Sequence, residues 1–238
     1  MVAQIQLGDI KVDVIRKRIK NIHLSVYPPT GAVRISAPER LSLDTVRVFA
    51  LSKLSWIKKN QRKLQDQERE SRRDYIERES HYVWGRRYLL HVIEREEPPS
   101  VRLEHSRMEL TVRPNADRDK RKEFMELWYR QLVREALPPL IAKWEPIMGV
   151  TVARCTVRKM KTRWGSCTPR TRRIRINTDL AKKPPECLEY ILVHEMAHLL
   201  EPTHNERFVA LMDQFLPKWR HCRDELNRLP VRHEDWRY

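Results

Sequence analysis

The sequence predicts an α+β fold, rich in strands through its first half and dominated by helices in its second. Three observations carry this. Apolar residues alternate at period two up to residue 38 and again between 80 and 112. Helical spacing takes over from 42 and again from 118, and a single apolar helix near residue 190 contains His-Glu-x-x-His.

Taken in order, Ile5, Val12, Val14, Leu24 and Val26 alternate before the turn signal Pro28-Pro29-Thr30-Gly31, and Val33 and Ile35 follow it. This predicts a hairpin or small sheet. From Ser42 to about Arg78 the spacing of Val46, Phe49, Leu54 and Ile57 predicts an exposed helix with a highly charged tail. Tyr82, Trp84, Tyr88, Leu90 and Val92 alternate around Gly85, and Val101 to Val112 adds two more strands. A long amphipathic helix runs from Arg118 to about Lys143, expected to be interrupted at Pro138-Pro139. Strands near 150–157 and 173–177 flank the segment 161–167, and Pro184-Pro185 opens the motif helix. The natural division is a β-rich part, 1–115, followed by a core at 116–238, with no repeat evident in the residues.

The chain has 238 residues, 40% of them hydrophobic, enough to bury a substantial core. Lys and Arg number 48 against 32 Asp and Glu, a net charge of +16, which favours acidic partners such as nucleic acid or nucleotides. Four cysteines without CxxC spacing, and a polar start instead of a signal-peptide core, predict a cytoplasmic setting. No apolar run approaches the ~20 residues of a membrane span, so no membrane partner is expected.

The motif reads His194-Glu195-Met196-Ala197-His198. Residues four apart share a helix face, so two imidazoles can converge on one cation while Glu195 faces the water it activates. Zn²⁺ is the cofactor this donor set favours, and Glu195 the general base and acid. A third ligand is expected nearby. His204 lies just past Pro202, and Thr203 with Glu206 has capping-box spacing, which places His204 in the first turn of the next helix. The spacing H-E-x-x-H-x5-H is shared with metzincins, but Glu201 stands where those have glycine.

Together with Arg163-Trp164-Gly165-Ser166-Cys167, Asn177 and the His204-to-Phe208 element, these residues resemble the YgjP-like metallopeptidase family over nearly the whole chain. The resemblance implies a minimal zincin-like core with His194, His198 and His204 as zinc ligands and Glu195 as catalytic glutamate. Arg163, Trp164, Gly165 and Ser166 have two readings: a loop lining the cleft that contacts substrate, or a tight turn with Trp164 plugging the core.

The leading expectation is therefore a zinc-dependent hydrolase acting on peptides or proteins. A nucleotide pyrophosphatase could use the same metal, with Arg158, Lys159, Lys161, Arg163, Arg170, Arg172, Arg173 and Arg175 gripping a triphosphate. A third reading is a nucleic-acid-associated metalloprotein whose basic surface holds phosphates electrostatically.

Overall fold

The computed structural model describes residues 2–27, 30–66, 73–160 and 163–228. The fold is α+β, and the described residues separate into two compact units, one up to residue 66 and one over 73–228.

In the first unit β1 (Val2–Leu7), β2 (Ile10–Lys17), β3 (His23–Tyr27) and β4 (Ala32–Pro38) form a sheet in the order β1-β2-β4-β3. The central pair is parallel and the outer pairs are antiparallel. Alternation turns Ile5, Leu7, Val12, Val14, Val33 and Ile35 to one face. There they bury Val46, Ala50 and Ile57 of α1 (Leu43–Ser52) and α2 (Leu54–Asp66). The single helix expected from Ser42 to Arg78 is thus two, broken at Lys53; its stretch 67–72, and Pro28-Pro29 of the turn expected between the strands, lie outside the described residues. Residues 73–79 are not helical, because the Glu79 carboxylate takes the N–H groups of Asp74 and Tyr75 at 2.7 and 2.8 Å.

The second unit opens with β5 (Ser80–Val83), β6 (Arg86–Glu94), β7 (Ser100–Glu104) and β8 (Arg107–Val112), ordered β5-β6-β8-β7. Its pairing is again antiparallel, parallel, antiparallel. The two sheets therefore share one topology, a structural repeat that the residues do not reveal, because pairing order leaves no mark on composition.

Helix α3 (Arg118–Met148) runs through Pro138, Pro139 and Pro146 where an interruption was expected. Buried Tyr129, Val133, Leu137, Trp144 and Met148 hold it from both sides of the prolines, so packing overrides the lost N–H groups. Three strands follow, β9 (Arg154–Arg158), β10 (Gly165–Thr168) and β11 (Arg173–Asn177), in the order β10-β11-β9. The chain closes with α4 (Pro185–Ala197), α5 (Glu206–Phe215) and α6 (Trp219–Arg228).

The compact units part before residue 73, whereas the residues pointed to 115/116. Sheet β5–β8 shares a core with the later elements: Trp84 N–H bonds the Ala181 carbonyl at 2.8 Å, and the Tyr129 hydroxyl donates to the Tyr82 carbonyl at 3.0 Å. Gly85, at φ +78, brings the β5–β6 turn against Pro184, where an added Cβ would sit 3.0 Å from the proline ring. That sheet therefore seats the start of α4. Among the described residues no helix is long and apolar enough to cross a membrane.

Candidate metal centre

Helix α4 buries Leu188, Ile191, Leu192, Val193, Met196 and Ala197, so it is a core helix, and its polar residues need partners inside the protein. His198 caps its C-terminal end. The next turn folds back, with the Glu201 N–H on the Ala197 carbonyl at 2.9 Å. This brings the Glu201 carbonyl 3.1 Å from His198 Nδ1, which must be the donor because a carbonyl only accepts. His198 Nε2 keeps its lone pair for a cation.

The Glu201 side chain accepts from the Thr203 N–H and hydroxyl at 3.2 and 2.9 Å. Thr203 is therefore engaged with Glu201 and does not cap α5. The cap is Asn205, whose Oδ1 accepts the Phe208 N–H at 3.0 Å. His204 accordingly stands one residue before the cap, not inside the first turn as the Thr203–Glu206 spacing predicted. The cap still orients it, since it sets where the helix starts.

His194, His198 and His204 converge, with ligand atoms all within 4.8 Å of one another. The Nε2 atoms of His194 and His204 face each other at 3.0 Å. Burial, then the neighbouring imidazoles, push the His194 pKa down to about 4, and burial lowers that of His198, so both rings are neutral donors near pH 7. His194 Nδ1 is buried without a hydrogen-bond partner. Three imidazoles at this span, two aimed nitrogen to nitrogen, fit a divalent cation with ligands at about 2.0–2.1 Å.

Phe208 backs the cluster. Its ring lies 4.9, 4.7 and 4.8 Å from those of His194, His198 and His204. Only 3% of it is exposed, so it is a rigid wall that limits how the imidazoles tilt. The spacing of the histidines assigns no role to Phe208; an aromatic four residues after the third histidine is the signal the sequence carries.

Glu195 is 6% exposed, and its pKa rises to about 7 through burial, opposed by the charge of Arg163. Its side chain lies against Gly165 of β10: a Cβ there would fall 2.6 Å from Glu195 Oε1. The close approach that Gly165 permits is thus to the glutamate. Cys167, two residues on, shares that face, and burial and Glu195 lift its pKa to about 11. Ser166 points to the other face of the strand, in register with Arg175. Trp164 packs against the core, with Lys183 Nζ 5.9 Å from its ring.

Asn177 fastens the approach to β10. Its Nδ2 donates to the Met160 and Arg163 carbonyls at 2.9 and 2.8 Å, and its Oδ1 accepts from the Met160 and Asp179 N–H groups at 3.3 and 3.1 Å. The basic residues do not gather at the histidines: Arg158, Arg173 and Arg175 are exposed on the sheet face opposite Gly165, while Lys161 lies outside the described residues.

A helix carrying two histidines and a buried glutamate, completed by a third histidine, defines the class, a metallopeptidase-like hydrolase with a metal-binding site. The model of the YgjP-like, metallopeptidase domain family matches residues 20–229, and the chain belongs to that family. The search of curated proteins found no match. Among solved structures, one similar chain is "Crystal structure of the metallopeptidase zymogen of Pyrococcus abyssi abylysin". It is 22% identical, with a TM-score of 0.35, over 39% of this chain and 97% of that one.

Proposed function

We propose that the chain is a zinc-dependent peptidase in which His194, His198 and His204 hold the ion and Glu195 moves the proton. The observation that carries this is the Glu195 carboxylate, buried beside the three histidines and pressed against strand β10. Held by these histidines, zinc would supply polarisation of the substrate carbonyl and acidification of a water. Glu195, with a pKa of about 7, is suited to take up a proton from the attacking water and to pass one to the leaving amine. The positive charge of Arg163 favours its carboxylate form.

Strand β10 supports a peptide as substrate. It stands at the edge of its sheet, pairing with β11 alone among the described residues, so an extended chain can add to it beside Glu195. A triphosphate would need several cations at the histidines, and the exposed arginines of β9 and β11 face away from Glu195. The peptide reading follows from that sidedness.

The test compares casein and unstructured peptides with nucleoside triphosphates, using zinc-loaded protein and Glu195→Gln. Peptide cleavage that drops by roughly 10²–10⁴-fold in the variant is expected. Triphosphate hydrolysis that depends on Glu195, without peptide cleavage, would replace this reading with the pyrophosphatase. Metal analysis of His204→Ala should show reduced zinc affinity; full affinity would mean another residue is the third ligand.

A further inference from the structure

The three-stranded sheet has two faces of opposite character. Cys155, Val157, Ile174 and Ile176 turn inward with Gly165 and Cys167. Alternation puts Arg154 and Arg158 of β9, and Arg173 and Arg175 of β11, on the outer face with Thr156, Ser166 and Thr168. All four arginines are exposed, and among the described residues of the three strands no carboxylate shares the face. Register sets Arg173 directly beside Arg154, a like-charge pair that weakens a sheet unless an anion lies across it.

Past the β9 edge, a groove of about 970 Å³ between β9 and α3 continues this surface and adds Arg130 and Arg134. Its own counter-charges are occupied: Glu145 accepts the Val152 N–H at 2.7 Å, and Lys159 pairs with Glu126 at 2.6 Å. Among the described residues none of the six arginines has an ion pair, and Arg130 Nε is buried without a partner. Elsewhere in the same unit Arg118, Arg121 and Arg220 each hold a carboxylate. What sets this face and groove apart is that the arginines stand at neighbouring positions while the lining carboxylate, Glu145, is turned to a backbone N–H.

We propose that the outer face and groove bind a nucleic acid through its phosphodiester backbone. Guanidinium groups with free N–H forks match phosphate oxygens, and Arg154 and Arg158 alone span roughly 13 Å along one strand. A single phosphate engages one or two such groups; a repeating anion engages all six. Among the described residues of these strands no aromatic side chain stands on the outer face, so bases are not stacked and binding is independent of sequence. The surface is opposite Glu195 and does not depend on the reaction performed there.

The test is fluorescence anisotropy of 20-residue DNA and RNA probes, duplex and single-stranded and of two unrelated sequences, titrated with the full chain across a salt series. Arg154→Gln/Arg173→Gln/Arg175→Gln and Arg130→Gln/Arg134→Gln are compared with Lys58→Gln/Lys59→Gln/Arg62→Gln, which removes the same charge as the first set from exposed positions on α2. Binding to all probes is expected, with a steep log–log salt slope on duplex DNA that falls by about 2.7 in the sheet triple variant. Affinity at low salt should fall at least tenfold there and little in the α2 variant. Circular dichroism of each variant checks the fold, and the groove pair, on a different element, gives a second reading. No binding at low salt, equal losses in the sheet and α2 variants, or equally tight binding to anionic phospholipid vesicles would overturn the proposal.

Discussion

A methyl group on Gly165 would lie 2.6 Å from Glu195 Oε1, 2.7 Å from its Cγ and 2.9 Å from its Cδ. Gly165 has no positive φ, so its cost to replacement comes from that one side chain rather than from backbone strain. Gly165→Ala should therefore destabilise by about 1–3 kcal/mol and suppress activity. In a Glu195→Ala background the same change should cost under about 0.5 kcal/mol, read by denaturant unfolding of all four proteins. Equal costs in both backgrounds would show that the glycine answers to something else. Phe208→Leu keeps volume but removes the ring behind the three imidazoles. Zinc affinity should drop by about tenfold, as for other groups that orient metal ligands, while the protein stays folded. An unchanged affinity would leave Phe208 only a packing role. Helix spacing made His194, Glu195 and His198 legible in the sequence, but neither contact of Glu195 nor the wall behind the histidines follows from local spacing.

At the scale of elements, helix α4 is held at both ends by other parts of the second unit. Gly85 meets Pro184 at its start, and the turn to Asn205 folds back at its finish. Asn177 does the corresponding work for β10, with all four of its hydrogen-bonding positions used on the surrounding backbone. Asn177→Ala leaves two carbonyls and two N–H groups short of a partner and should cost about 2–3 kcal/mol. It should also lower turnover through Arg163, without changing zinc content. Loss of zinc in this variant would show that the clamp supports the ligands themselves. Elements were read well where periodicity persists, as in α4 and β11, and poorly where packing decides. The prolines of α3 broke a local rule that six buried residues on that helix outweigh, and the expected Ser42–Arg78 helix failed where Glu79 captured backbone donors.

Across the whole molecule, the buried ionisable groups outside the metal centre set a dependence on pH. His81 is 1% exposed, and burial lowers its pKa below the usual 6.5, with Arg73 and Lys182 acting in the same direction and Glu79 against them. Its folded-state pKa is depressed, so the unfolded chain takes the proton first, and stability present above about pH 6.5 is lost as pH falls. His81→Gln should flatten the fall in melting temperature between pH 6.5 and 5 relative to the parent protein; parallel curves would exclude His81. By itself the sequence determined the α+β class, the strand and helix periods, and the helix that carries His194, Glu195 and His198, because each is a matter of spacing within one segment. It also carried the family resemblance through motifs short enough to read in line. Only the tertiary structure decided that sheet β5–β8 belongs with the unit that holds the histidines, that Gly165 makes room for Glu195, that Phe208 backs the histidines, and that the arginines of β9 and β11 face away from them. Each of these depends on which strands pair and which face is covered, and those choices are made between segments far apart in the chain.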